Sequence, residues 1–183
     1  MIKLQQLIGL PVVDLRTGRQ AGKVKDAWFD DQWSMQGVLL EAGRWLSSKD
    51  RIVHWNRVAS CGEDAVLIDS TEDIVVKDKK AAGRCFQTGH PRLKDLPVVT
   101  VGGTQLGRLS DVYFEPIQGT QIVGYELTDG FISDLLEGRK WLRAPKESET
   151  VLLGEDAIIV PACCEAQLLP VAPSDSDIGR NER

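Results

Sequence analysis

Two aspartates stand in matching surroundings far apart in the chain. Asp26 ends Gly22-Lys23-Val24-Lys25-Asp26, and Asp111 ends Gly107-Arg108-Leu109-Ser110-Asp111. Brought together, two carboxylates could share a proton in acid–base work or hold a divalent cation. Kept apart, each could accept neighbouring backbone N–H groups and fix a corner of the fold. No His or Cys accompanies either aspartate, so the expectation for Gly22, Asp26, Gly107 and Asp111 is structural.

The other reactive side chains are equally isolated. Cys61, Cys85, Cys163 and Cys164 form no CxxC pair, and only His54 and His90 could join them. That spacing does not suit zinc, and neither a metal nor a cofactor is expected. Gly102-Gly103-Thr104-Gln105-Leu106-Gly107 lacks the following Lys-Ser/Thr of a phosphate loop and reads as a hairpin turn. Glu63-Asp64 and Glu155-Asp156 each offer two adjacent carboxylates, whose side chains diverge along a strand, so they read as solvated turns rather than calcium ligands. No nucleophile motif is present. The expectation is a protein that is not an enzyme.

Contact chemistry is more evident. Trp45 follows Gly43-Arg44, and Trp141 follows Gly138-Arg139-Lys140. Trp and Arg dominate interface energies, so Trp33, Trp45, Trp141, Arg44 and Arg139 are the candidate partner-binding residues. The competing reading is that these indoles plug barrel ends or seal one half of the chain on the other. Arg16, Arg19, Lys23 and Lys25, with Lys77, Lys79 and Lys80, form local basic stretches. The formal net charge is −5 and the pI about 5.1, which argues against a global polyanion binder.

The elements that must position these residues come in two copies. Leu10-Pro11-Val12-Val13 returns as Leu96-Pro97-Val98-Val99, Phe29-Asp30 as Phe114-Glu115, and Gly37 as Gly124. Gly62-Glu63-Asp64-Ala65-Val66 returns as Gly154-Glu155-Asp156-Ala157-Ile158. A period of roughly 85–92 residues marks duplicated domains rather than a solenoid. Short runs rich in Val, Ile and aromatics read as strands: Val12–Leu15, Lys23–Phe29, Gly37–Glu41, Ile52–Trp55 and Ala65–Asp69 in copy one. Copy two gives Val98–Val101, Arg108–Phe114, Gln121–Leu127, Trp141–Arg143 and Ala157–Val160. Helix is expected only in Ile2–Ile8, in Ser133–Glu137 with Ser133 as N-cap, and as one reading of Cys163–Leu169, which could equally be extended. The fold class is therefore all-β, two small tandem barrels with short helical excursions. Residues 1–79 and 80–169 are the expected domains, with Ser70–Asp95 as the linker region and 170–183 as a flexible tail.

The repeated unit resembles the PRC-barrel domain. The resemblance rests on Gly9-Leu10-Pro11-Val12-Val13-Asp14, on the glycine–x–apolar–x–acidic runs ending at Asp26 and Asp111, and on the closing Glu63–Leu67 and Glu155–Ile159. The tandem arrangement is similar to that of double-PRC-barrel proteins of Gram-positive bacteria. Relatives of the fold include the photosynthetic reaction-centre H subunit and ribosome maturation factors. The resemblance implies a binding and assembly module without a shared catalytic constellation. The function expected is a cytoplasmic scaffold or adaptor for a protein partner. The alternatives are a ribosome- or RNA-linked assembly factor, and a small-ligand carrier or enzyme of unknown type. No apolar run approaches the ~20 residues of a membrane span, and no secretory signal is read at the N-terminus. Exchange of loops or a strand between two chains would give a homodimer.

Overall fold

The chain has 183 residues, and the computed structural model describes residues 1–32, 34–41, 49–78, 84–89, 92–115, 121–145 and 151–171. Copy one begins with a two-residue strand β1 (Ile2–Lys3) and a single helical turn α1 (Leu4–Leu7). Then come β2 (Pro11–Asp14), β3 (Gln20–Phe29), β4 (Met35–Leu40), β5 (Lys49–His54), β6 (Val58–Cys61), β7 (Val66–Ile68) and β8 (Ile74–Asp78). Copy two repeats the order with β9 (Arg84–Cys85), β10 (Pro97–Thr100), β11 (Gln105–Phe114) and β12 (Ile122–Thr128). It adds a helix α2 (Phe131–Glu137) and closes with β13 (Lys140–Arg143), β14 (Leu152–Leu153), β15 (Ile158–Val160) and β16 (Leu169–Pro170).

The expected all-β class holds, as two curled sheets of the same topology. One runs β6-β7-β2-β3-β4-β5-β8 and the other β14-β15-β10-β11-β12-β13-β16. Within each, β2 pairs parallel with β7 and β10 with β15, while the remaining ladders are antiparallel. Pro11 and Pro97 open their strands, where a missing N–H costs little. Alternation on β2 and β10 buries Val12 and Val98 toward one continuous apolar core that both copies share. Trp55 of copy one meets Phe114 of copy two edge to face within it, ring centroids 5.6 Å apart.

Several local expectations need correction. Ile2–Ile8 is not two turns of helix: Ile2–Lys3 is strand, and only Leu4–Leu7 turns. Ladder pairing on β11 wins over local helix preference there. The helix of copy two starts earlier than Ser133, at Phe131, with Gly130 in the N-cap. Most of Cys163–Leu169 lies in a 3-10 helix, Ala162–Gln167, and its last residue opens the strand Leu169–Pro170. Ser70–Asp95 contains β8, β9 and three fully or nearly fully buried apolar residues, Cys85, Phe86 and Leu93.

The two-residue strands reveal how the copies join. β1 does not pair within copy one: Ile2 and Lys3 lie opposite Phe114 and Tyr113 on β11. β9 does the converse, with Arg84 and Cys85 opposite Phe29 and Trp28 on β3. We call residues 2–10 and 84–96 the leaders of the two copies. Their registers make Lys3 equivalent to Cys85, Leu4 to Phe86, and Gln5 to Gln87. Leu4, Phe86, Leu7 and Leu93 are all fully buried. Each leader therefore completes the sheet of the other copy. Each ends at a residue of positive φ whose N–H closes onto the long strand of its own copy: Gly9 on Val24 O at 2.8 Å, Asp95 on Leu109 O at 2.8 Å. Among the described residues Asp95 is the non-glycine residue that takes this left-handed conformation, φ 71°.

Candidate functional site

Asp26 and Asp111 lie at the crossing points of the leaders. Asp26 Oδ1 accepts the N–H of Ala27 at 2.8 Å, and its carboxylate accepts Gln87 N–H at 3.1 Å. Thr88 donates both N–H and Oγ1–H to Oδ2, each at 2.7 Å. Asp111 accepts Val112 N–H at 2.8 Å and Gln5 N–H at 3.2 and 3.4 Å. Each aspartate thus binds the backbone of the leader that crosses from the other copy. The two grips differ in strength. Burial pushes the Asp111 carboxyl up to about 6, with Glu126 adding to the rise against the N–H groups of Val112 and Gln5. Gly22 and Gly107 pair with Val12 and Val98 at the irregular step of the first hairpin in each copy. Among the described residues no cluster of three His, Cys, Asp or Glu is placed to hold a metal ion.

The equivalent surfaces beside the two crossings carry opposite chemistry. In copy one, Trp28, Leu39, Ile52 and Cys85 form a small apolar cluster. Burial, with Asp26 and Asp50 nearby, drives the Cys85 thiol up to about 12. The same four positions in copy two are Tyr113, Glu126, Trp141 and Lys3, by the paired registers of the strands. Glu126 is fully buried. Its Oε2 meets Lys3 Nζ at 2.7 Å and accepts Tyr113 Oη–H at 2.8 Å, while Oε1 meets Arg139 Nη1 at 2.7 Å. Burial alone would raise this carboxyl; Lys3, Arg139 and Tyr113 outweigh burial and hold it below the usual range.

Arg139 continues the network outward. Its Nε lies 3.5 Å from Asp134 Oδ2 on α2, and that oxygen also accepts Thr128 Oγ1–H at 2.6 Å. Lys140 pairs with Asp129. Asp134 thus staples α2 to the end of β12 through its polar side. The apolar side faces outward: Ile132, Leu135 and Leu136 are 73%, 69% and 81% exposed. An ordinary surface helix is oriented the other way, apolar face to the core. The i, i+3, i+4 spacing puts these three side chains on one face.

The candidate contact residues fall as follows. Arg139 is half exposed and engaged by Glu126 and Asp134. Trp141 is partly buried, and its indole lies over Gly124, where an added Cβ would come within 2.6 Å of Nε1. Trp28 covers Gly37 in copy one in the same manner, from the neighbouring strand on the other side. Neither indole N–H has a hydrogen-bond partner among the described residues. Trp33, Arg44 and Trp45 lie outside the described residues. Sequence reading placed a helical turn at Ser133–Glu137 without weighing its aliphatics. Their i, i+3, i+4 spacing straight after Gly130 was the available signal.

A shallow cleft of about 630 Å³ lies beside Asp95, lined by Arg92, Lys94, Arg108, Glu155 and Asp156 among others. Its cations are partly committed: Arg92 pairs with Asp95 at 3.1 Å, and Arg108 donates to Asp95 O at 2.9 Å. Interspersed carboxylates deny it the single sign that an anion or cation site needs.

Fold and site together define an all-β protein of duplicated half-barrels in which Asp26, Asp111 and Glu126 each hold the leader of the other copy. Residues 1–75 match the PRC-barrel domain family, and the second copy repeats the strand order of the first. The chain is also similar to a protein of Bacillus subtilis (strain 168) named Uncharacterized protein YrrD, 28% identical over 152 residues, covering 83% of each chain. Among the described residues no helix is long and apolar enough to cross a membrane.

Proposed function

We propose that this protein is a non-enzymatic, cytoplasmic scaffold or adaptor that docks a protein partner on the outward face of α2. The observation that carries this reading is the inverted helix, with Ile132, Leu135 and Leu136 in solvent and Asp134 turned inward. Exposed apolar patches on a folded protein mark interaction surfaces. Three aliphatic anchors at i, i+3 and i+4 suit insertion into an apolar groove. Burying them would supply about 1.5–3 kcal/mol each. They amount to less than the ~800 Å² per partner of a standard interface, so neighbouring surface joins the contact. Arg139 then acts as a strut beneath the helix, and Trp141 as packing over Gly124. The second copy, residues 80–169 in this reading, carries the docking face.

The test compares wild type with the double substitution Leu135→Ser, Leu136→Ser in affinity capture from lysate of the encoding organism, with and without nuclease. The expected result is a nuclease-resistant protein partner lost at least tenfold in the variant, with an unchanged melting temperature. Capture equal in both proteins would exclude α2 as the docking face. Recovery of ribosomal proteins that disappears with nuclease and high salt would support the ribosome-linked reading instead.

A further inference from the structure

Among the described residues the ionic cluster around Glu126 has no counterpart in copy one, where the fold is built without it. The equivalent positions there pack as Trp28, Leu39, Ile52 and Cys85. Even the flanking charge is reversed: Asp50 stands where copy two has Arg139, facing Lys25 at 3.9 Å. A buried ion pair is weak evidence of stabilisation, and its best-attested use is to specify one arrangement over a close competitor. The fold contains such a competitor. Two leaders of similar build, with buried Leu4 and Leu7 in one and Phe86 and Leu93 in the other, face two sheets of the same topology. Apolar burial alone discriminates poorly between them.

We propose that Glu126 is a selector for the leader: the second sheet accepts an extended segment carrying a cation at the position of Lys3, and thereby fixes which leader crosses to which copy. The geometry supplies the discrimination. With leader 2–10 in place, Lys3 Nζ reaches Glu126 Oε2 at 2.7 Å and lies 5.5 Å from the Tyr113 ring centroid. With leader 84–96 in its place, the Cys85 thiol would stand opposite a buried carboxylate and could not neutralise it. Lys3 transferred to copy one would stand by Trp28, Leu39 and Ile52 with Asp26 and Asp50 nearby, so the discrimination lies in the second sheet. In the first mismatch the fully buried Glu126 keeps Arg139 and Tyr113 but loses the ammonium on Oε2, and a buried carboxylate short of a partner is the costly outcome. This inference does not depend on what binds α2.

Amide hydrogen exchange on the full-length chain tests it. The variants are Lys3→Glu, Glu126→Leu, and the double Lys3→Met, Glu126→Leu, which copies the apolar chemistry of copy one. Lys3→Glu is expected to lower protection of residues 2–7 and of Tyr113 and Phe114 at least tenfold, with β2–β8 unaffected. Glu126→Leu alone is expected to do the same, and the double to recover to within about threefold of wild type. Unchanged leader protection in Lys3→Glu would overturn the proposal. So would a double substitution no better protected than Glu126→Leu alone, since the loss would then be damage to the sheet rather than loss of a matched pair.

Discussion

Gln87 donates its side-chain amide to the Oε1 of Gln5 at 3.4 Å, and these residues hold the same place in the two leaders. Equivalent residues that meet one another mark a local pseudo-two-fold axis. Around it the two leaders cross, and each aspartate of the repeated motif grips the segment that arrives from the other copy. The halves are thus exchanged parts of one unit sharing one core.

The unequal grips predict unequal costs. Asp26 accepts N–H groups from Ala27, Gln87 and Thr88 and the Thr88 hydroxyl, so Asp26→Ala leaves the buried Ala27 donor and the half-buried donors of Gln87 and Thr88 unpaired. We expect a loss of about 3 kcal/mol or more. Asp111→Ala leaves fewer and should cost less. Urea unfolding of both variants ranks them; an equal loss would show that the hydrogen bonds do not set the difference.

Asp111 also predicts a pH dependence. Its folded pKa, about 6, lies above the 3.8 of an ordinary aspartate, so the folded state binds the proton more tightly than the unfolded state. This contribution is fully present below about pH 4 and is lost as pH rises through 6. Relative to Asp111→Asn, wild type should lose about 2–3 kcal/mol between pH 4 and pH 7. Glu126, held below its usual range, opposes this trend in both proteins. A wild-type advantage that grows with pH would contradict the assignment.

Gly37 and Gly124 each lie beneath an indole, but what an added methyl meets differs. At Gly37 it would fall on the backbone carbonyl of Val53, which cannot yield without disturbing the sheet. At Gly124 the nearest atoms it meets are those of the Trp141 ring, at 2.6–2.9 Å. Gly124→Ala should cost about 1–3 kcal/mol and shift tryptophan emission. Gly37→Ala should cost more. Thermal melts with fluorescence detection check both, and the reverse order would refute the packing argument.

Asp134→Ala removes the staple between α2 and Thr128 and Arg139. We expect about 1–2 kcal/mol of lost stability and faster amide exchange confined to α2 and its flanks. Partner capture should weaken together with the helix. A variant with loosened α2 and undiminished capture would separate the helix from binding.

The sequence disclosed the duplication and most long strands because Val-rich runs repeat in register between Gly, Asp and Pro. Asp26 and Asp111 stood out for the same reason. The crossing of the leaders was hidden because β1 and β9 have two residues each, too few for any periodicity to register. Pairing partners of such strands are set by tertiary contacts, above all the burial of Leu4 and Phe86. Glu126 sits inside an apolar strand and is conspicuous only when aligned with Leu39, while its partner Lys3 is remote in the chain. Trp28 and Phe29 divided as alternation requires: Phe29 is core, and Trp28 covers Gly37 outside the main cluster.

The crossed grips join the two copies, and residue-resolved amide exchange in Asp26→Ala and Asp111→Ala tests them most directly. Asp26→Ala should unprotect Gln87 and Thr88 while leaving Gln5 protected. Asp111→Ala should unprotect Gln5 while leaving Gln87 and Thr88 protected. If instead each aspartate guards the leader of its own copy, the exchange of leaders, and the selection by Glu126 that depends on it, is wrong.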